Sequence, residues 1–477
     1  MRNPAAERAQ TASFGFVLGV LAALPAFLYL RGFTVDDALI PARYATNIAH
    51  GLGYRFNAHG RSTDGVTPLG FPYLLAPFAY KGPLAALGAA RALGAVAWLG
   101  AAGMLGAAIA RIGGSAVRYA ALLLVLCSAP LGAWAWGGLE TGLVVALSTA
   151  AAVLPLRSGH APAAGALLGA CAWLRPEMIA YSIWLGASRV RTAESKRGKL
   201  LTACFVVLPW LAAALIRAMV WGRPAPLAVF AKPSDVAHGA AYVLPAILFT
   251  GAPLAALGPL AWAKVSGWPR ALILGSFIHL AVIVLAGGDW MPLARLICPV
   301  LPPLALAAAH LLSSSSSSLM AVIRLSTGCV AQVVVFAMRG PAAAHILRDR
   351  LALIDAAVPV LAGAGVVATI DVGWVGSATQ AEIVDLAGAT DPEIAALPGG
   401  HTSKAVSGAF LTARRPDRLV FQSDEYQVGD AVSFVRATEA RLFADPLVTR
   451  AYQVTWRSPA TLRIHYVVLS PKPNEPP

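Results

Sequence analysis

Phe14-Gly-Phe-Val-Leu-Gly-Val-Leu-Ala-Ala-Leu-Pro-Ala-Phe-Leu-Tyr-Leu30 is an apolar run of membrane length, followed at once by Arg31-Gly-Phe-Thr-Val-Asp36-Asp37-Ala-Leu-Ile-Pro-Ala-Arg43-Tyr44. About 20 apolar residues cross a hydrocarbon core as a helix, so the run reads as a first span. The double acid then sits where the chain leaves the bilayer. Two adjacent carboxylates at that boundary are costly unless they are used. Arg2 and Arg8 precede the run and no small-x-small cleavage site precedes the acids, so the segment reads as an uncleaved signal-anchor.

The rest of the chain repeats the pattern. It is 57% hydrophobic and 13% charged over 477 residues, with further apolar segments near 67–80, 84–110, 117–135, 139–156, 162–188, 200–221, 241–263, 271–287, 293–312 and 319–338. The fold class is therefore a polytopic α-helical membrane protein with about 10 transmembrane or re-entrant segments. The net charge of +14 does not point to nucleic acid, because the basic residues lie in short connections rather than on one polar face. Positive-inside topology and contact with anionic lipid explain them. The five cysteines (Cys127, Cys171, Cys204, Cys298, Cys329) lie in or at the ends of apolar segments and form no CxxC, which reads as small buried side chains rather than disulfides or a zinc site.

Charge orients the connections. The basic stretches Arg111 to Arg118, Arg189 to Lys199 and Lys264 to Arg270 are assigned to the cytoplasm, which puts 32–66, 136–140, 222–240 and 288–292 outside. Parity requires some segments not to cross fully. The short 67–80 run is one candidate; the other is 162–188, where Leu174-Arg175-Pro176-Glu177 splits the run into two half-helices. Ser313–Ser318 read as a flexible cytoplasmic linker. The expected division is a membrane domain over 1–338, carrying the outer loop 32–66, and a small extracytoplasmic α/β domain over 339–477. Gly365-Val-Val-Ala-Thr-Ile-Asp371 and Leu462-Arg-Ile-His-Tyr-Val-Val-Leu469 read as strands, with helix near 430–443.

The outward polar residues each have a plain reading beside a chemical one. Ile40–Ala49 has apolar residues at helical spacing and reads as a short helix lying in the interface, which Asp36 or Asp37 could cap. The chemical reading makes the pair a general base at the edge of a cavity. Glu140 stands at the start of a span, where capping alone explains an acid. Asp289 and Arg295 flank a Pro break and read as an ion pair orienting it. Lys232 lies outside against the positive-inside tendency, which suits an anion ligand better than topology.

Asp36 to Asn57, followed by Asp64-Gly-Val-Thr-Pro-Leu-Gly-Phe71, resembles the first periplasmic loop of GT-C-type glycosyltransferases, a group that includes the mycobacterial terminal arabinofuranosyltransferases. Further matches follow in order: Gly138-Leu-Glu-Thr141, Leu174-Arg-Pro-Glu177, Phe230-Ala-Lys232, Gly287-Gly-Asp-Trp-Met-Pro292 with Arg295, and Ile383-Val-Asp-Leu-Ala-Gly-Ala-Thr-Asp-Pro-Glu393. The resemblance implies a bundle of membrane helices with a catalytic first outer loop and a C-terminal periplasmic domain. It also implies a polyprenyl-phosphate sugar donor, a glycan or glycolipid acceptor, and a place in the bacterial inner membrane with the active site outside.

The residues suit that chemistry independently. A sugar on a lipid phosphate has a good leaving group, so transfer needs a base on the acceptor hydroxyl and cations on the departing phosphate. It does not need the proton-donating carboxylate of a glycoside hydrolase. Asp36 or Asp37 supplies the base, and the resemblance favours Asp36. Lys232, Arg175 and Arg295 hold phosphate. Arg43, Tyr44, Glu140, Glu177 and Asp289 bind sugar or acceptor; the acids among them could also orient the cations or, ranked last, hold a divalent metal. Single-step displacement predicts inversion of a transferred pentose or hexose. The other classes are a lipid-linked sugar flippase, against which stands the lack of internal repeats, and a non-catalytic membrane scaffold, which leaves the ordered acids and bases unexplained.

Overall fold

The computed structural model describes residues 4–112, 128–155, 158–232, 234–249, 266–314, 318–424 and 432–473. Among these, five helical stretches are long and apolar enough to cross a membrane: Ala6–Tyr29, Pro83–Ile112, Lys196–Trp221, Gly267–Leu285 and Val330–Leu361. Shorter apolar helices, Thr141–Val153, Ala161–Leu174, Val236–Ile247 and Arg295–Leu311, accompany them. The chain is a multi-pass membrane protein. The expected segments 117–135 and 241–263 lie partly outside the described residues; Arg118, Cys127, Lys264 and Ser315–Ser317 lie wholly outside.

The chain folds as two compact units. One comprises Met1–Thr34, Ala90–Ala213 and Ser234–His345, and the other Val35–Ala89, Ala214–Pro233 and Ile346–Pro477. Residues 35–66 of the first long loop thus share a unit with the C-terminal residues.

In the first unit, helices pack by close approach of small residues, as expected where lipid tails compete for apolar surface. A Cβ on Gly19 would stand 2.2 Å from the Ala102 carbonyl oxygen, and one on Gly106 would stand 2.1 Å from that of Gly15. The buried Arg91 guanidinium closes the end of the first span by donating to the carbonyls of Arg31, Phe33 and Trp136. The break expected in 162–188 is present. The helix Ala161–Leu174 stops where Arg175 turns extended (φ −136°), a 3-10 turn runs Pro176–Met178, and a new helix spans Ile179–Thr192. Pro176 enforces this by clashing with helical geometry at the preceding residue.

The run 67–80, one of the two candidates not to cross fully, forms only the helix Phe71–Leu75 and a 3-10 turn Ala76–Phe78, too short to cross. One expectation changes. The described ends of the six-serine run are helix rather than linker: Ser314 ends Leu301–Ser314 and Ser318 begins Ser318–Ala343.

The second unit contains a five-stranded mixed sheet: β1 Val366–Thr369, β2 Glu382–Asp385, β3 Arg418–Ser423, β4 Tyr452–Arg457 and β5 His465–Pro471, in the order β2-β1-β3-β5-β4. β1 runs parallel to β2 and β3, while β5 runs antiparallel to β3 and β4. Alternating apolar residues give the sheet its buried face: Ala368, Leu419, Phe421, Val467 and Leu469 pack with Leu411, Leu442 and Val448 from the covering helices. The strands expected at 365–371 and 462–469 are β1 and β5, and the helix expected near 430–443 is Ala437–Ala444. Asn57 from the first loop covers the outer edge of β2: its side-chain amide accepts from the Ile383 N–H and donates to the Ile383 carbonyl, both at 2.9 Å. An open sheet edge is thereby paired.

Candidate active site

The first unit gathers five of the candidate residues into two clusters. At the break, the buried Arg175 guanidinium is fully engaged: Nε to Glu140 Oε1 at 2.5 Å, Nη1 to Glu177 Oε1 at 3.1 Å and Nη2 to Thr141 Oγ1 at 3.1 Å. Glu140 occupies the cap position of helix Thr141–Val153 but makes no side-chain capping bond, so the capping account of this acid is replaced by the ion pair. Two carboxylates on one guanidinium leave the trio with net negative charge, which suits sugar hydroxyls better than phosphate.

The second cluster is the turn after Gly287-Gly288. Arg295 Nε donates to Asp289 Oδ2 at 2.8 Å, the expected ion pair across the Pro break. The turn reverses through Leu293 (φ 59°) and Ala294 (φ 50°), left-handed conformations that non-glycine residues rarely adopt. Three side chains pin it: Trp134 Nε1 donates to Leu293 O at 3.0 Å, Tyr242 Oη accepts from Leu296 N at 3.1 Å, and His279 Nε2 lies 2.8 Å from Leu296 O. Strain held this firmly is a mark of functional turns.

The second unit holds the acidic pair. Asp36 and Asp37 open a 3-10 turn ahead of helix Leu39–Ala49, and neither side chain caps that helix. Asp36 caps another: its Oδ2 and Oδ1 accept from the N–H groups of Gly373 and Trp374, each at 2.9 Å, at the start of helix Val372–Ala378. Its Oδ1 also lies 3.3 Å from Arg350 Nη1. Burial pushes its pKa up to about 7 against the lowering pull of Arg350, with Asp371 and Asp37 adding to the rise. Asp37 is half-buried, and its carboxylate has no protein partner among the described residues.

Behind Asp36 lies a network that sequence reading missed. Asp371 Oδ2 accepts from Tyr466 Oη at 2.5 Å and Oδ1 from Arg436 Nη2 at 2.8 Å; Arg436 Nη1 lies 3.5 Å from the buried Glu439. Arg436 holds the Asp371 carboxyl below its usual value, while burial raises Glu439 to about 8. A second unread pair joins Asp64 Oδ2 to Arg217 Nε at 2.7 Å, both buried. The sequence offered a weak signal for these: acids and bases isolated in apolar surroundings must find partners.

Arg43 and Tyr44 hold the fold together. Arg43 donates to the carbonyls of Phe56 (3.0 Å), Gly376 (2.8 Å) and Ala381 (2.8 Å), and Tyr44 Oη lies 2.8 Å from Thr63 Oγ1 and accepts from Gly65 N. Both are buried, so the expectation that they touch sugar or acceptor is revised: their donors are spent on the protein. The helix carrying them is buried along most of its length instead of lying in a membrane interface. Two glycines let it dock. A Cβ on Gly373 would stand 2.1 Å from Asp36 O, and one on Gly376 would stand 2.6 Å from Arg43 Nη1.

Lys232 follows the short helix Leu227–Ala231, which is anchored by the Leu227 N–H donating to Asp64 O at 3.1 Å. Its ammonium has no protein partner among the described residues. Of the ten candidate residues, Asp37 and Lys232 are the two whose charged groups make no hydrogen bond or ion pair with the described residues, and both belong to the second unit. Among the described residues no group of three His, Cys, Asp or Glu side chains gathers as a metal would require.

No family model matches the chain, and no curated protein sequence does so at a significant level. Among solved structures, ArnT from Cupriavidus metallidurans in the apo state superposes with a TM-score of 0.54 at 14% identity, covering 95% of this chain and 97% of that one. The same protein bound to undecaprenyl phosphate superposes at 0.46 and 16% identity, covering 76% and 74%. The multi-helix membrane region with its C-terminal mixed five-stranded sheet is thus an ArnT-like fold, shared with apo ArnT over nearly the whole of both chains.

Proposed function

We propose that the chain is an integral-membrane glycosyltransferase of the GT-C type. It moves a pentose or hexose from a polyprenyl-phosphate donor to a hydroxyl of a cell-envelope glycan or glycolipid on the outer face of the bacterial inner membrane. The observation that carries this reading is the pair of unmatched charges, Asp37 and Lys232, in a unit where the other candidate ionic groups are consumed by protein partners. A carboxylate without a partner is what a general base needs, and an ammonium without one is what a leaving phosphate needs. The ArnT-like fold and the ordered motifs support the same class.

In this reaction the acceptor oxygen bonds to the anomeric carbon as the bond from that carbon to the phosphate oxygen breaks. The hydroxyl proton passes to the Asp37 carboxylate. The electron pair leaves with the lipid phosphate, whose growing charge Lys232 stabilises. One displacement inverts the anomeric centre. Asp36 acts as a positioning residue that fixes Asp37 through Arg350 and the helix Val372–Ala378.

The test is transfer by the purified chain from a panel of synthetic polyprenyl-phosphate pentoses and hexoses, with the anomeric configuration of the product read by NMR. Turnover of a donor with inversion is expected. If no donor is consumed, or if one is consumed and Asp37→Asn retains the full rate, the reading fails.

A further inference from the structure

Lys404 is a buried lysine with no carboxylate beside it among the described residues. Its side chain is 1% exposed, and its Nζ donates to the carbonyls of Ala395 (2.8 Å) and Leu397 (2.9 Å) at the end of helix Pro392–Ala395. Carbonyl dipoles at a helix end account for two of the three N–H donors of an ammonium. The third donor, and the full positive charge, have no match: among the described residues no acid pairs with Lys404. Burial alone lowers its pKa, which measures the same unpaid cost from the other side.

Lys404 is among the residues lining a cleft of about 360 Å³ in the second unit, with Arg223, Phe230, Pro392, Leu397 and Pro398. Arg223 is a second cation: its guanidinium lies over the Phe230 ring at 5.5 Å, and it acts on the Asp64 carboxylate at Coulombic range without an ion-pair contact to any acid among the described residues. The loop holding Lys404 is fixed from behind, since Arg441 Nη2 donates to the carbonyls of Ser403 and Lys404 and Thr438 Oγ1 donates to the latter. The cleft therefore sets two preorganised cations, one of them rigid, above an apolar floor. Arg223 lies two residues beyond Trp221, which ends the membrane-length helix Lys196–Trp221. Exposed Val229 and Phe230 follow, an apolar rim suited to the headgroup level of a bilayer.

We infer that the Arg223–Lys404 cleft is a binding site for a phosphate monoester, with the guanidinium and the buried ammonium converging on one oxyanion. The class follows from the two positive groups, since a bound dianion would neutralise both and accept the free Nζ donor. The site is distinct from Lys232 and does not depend on the transfer reaction, because it is read by binding alone.

The full-length protein in zwitterionic detergent is titrated by calorimetry with inorganic phosphate, with dihexanoyl phosphatidic acid and with dihexanoyl phosphatidylcholine, and thermal unfolding is followed in each. Phosphatidic acid or inorganic phosphate is expected to bind and raise the melting temperature, and Lys404→Gln and Arg223→Gln each weaken that binding by about tenfold or more. Preference for phosphatidic acid makes the occupant a lipid headgroup, and equal affinity makes it free phosphate. Should Lys404→Gln fail to fold, Arg223→Gln, on a half-exposed side chain, carries the test. The proposal is overturned if neither phosphate compound binds, if phosphatidylcholine binds equally well, or if Arg223→Gln binds as the wild type does.

Discussion

Asp36 and Arg350 face each other at 3.3 Å, tying the loop 32–66 to the helix Ile346–Leu361. The pair is nearly buried, with 12% and 9% of the side chains exposed, so removing one partner weakens the hold on the other. Asp36→Ala should destabilise the chain by about 3 kcal/mol, because it leaves Arg350 only the pull of Asp371 and Tyr466 and leaves two helix-start N–H groups uncapped. Asp36→Asn keeps an acceptor oxygen for one of the two N–H groups and should cost less. Thermal unfolding of the two variants in detergent checks the order; equal melting temperatures for Ala, Asn and wild type would refute the clamp.

Asp37 should behave in the opposite way. Its carboxylate bonds to nothing in the described protein, so Asp37→Asn is expected to leave the melting temperature within about 1 °C of wild type. Transfer should fall by about 10²–10⁴, the usual worth of a positioned base, with the donor KM little changed. Swapped behaviour, with Asp36→Asn stable but dead and Asp37→Asn unstable but active, would hand the base back to Asp36.

Docking of the loop helix depends on small residues at 373 and 376. A methyl group at Gly373 would meet Asp36 O at 2.1 Å, and one at Gly376 would meet Arg43 Nη1 at 2.6 Å. The first contact is backbone and cannot yield; the second is the end of a side chain. Gly373→Ala should therefore cost more than Gly376→Ala, about 3 kcal/mol against about 1 kcal/mol. The measurement is unfolding by heat, and a reversal of the order would show that the helix Val372–Ala378 moves freely.

How much of this was legible in the sequence follows from distance along the chain. Spans are local, so apolar length located them, and Arg175-Pro176-Glu177 located the break because proline acts on its immediate neighbour. β1 and β5 were readable for the same reason, as short alternating runs. Arg43, by contrast, donates to carbonyls 333 and 338 residues away, and nothing near it distinguishes such a brace from a substrate ligand. Asp36 looked like a cap for the helix that follows it, and it is a cap, but for a helix beginning at Val372. Residue type announced that the charges needed partners; only the tertiary fold decided which of them were left over.

Lys232 should separate donor binding from folding. With no partner to lose among the described residues, Lys232→Ala is expected to keep its melting temperature while weakening the affinity for a polyprenyl-phosphate sugar by about 10–100-fold, the worth of one charge-assisted bond to phosphate. Equilibrium binding of a non-transferable donor analogue measures this without turnover. Unchanged affinity would remove Lys232 from the site and leave Asp37 standing alone.

Glu439 gives the second unit a pH dependence of definite sign. Burial raises its carboxyl from 4.5 to about 8, so the folded state holds the proton more tightly than the unfolded chain. Its stabilising contribution is then complete below about pH 4.5 and is lost as pH rises through about 8. Asp36, raised to about 7, and Asp385, raised to about 6, act in the same direction but are exhausted earlier. Asp371, held low by Arg436 and Tyr466, acts oppositely and only in acid, below its unfolded value of 3.8. Among these carboxyls, the slope that remains between pH 7 and 9 belongs mainly to Glu439. Glu439→Gln retains an oxygen for the Gln422 N–H, which Glu439 Oε1 accepts at 3.1 Å, and cannot ionise. The variant should lose at least about 2 °C less than wild type between pH 7 and 9, a difference of the order of 1 kcal/mol. A parallel decline of the two melting curves would mean that Glu439 is already ionised at neutral pH, with Arg436 compensating its burial.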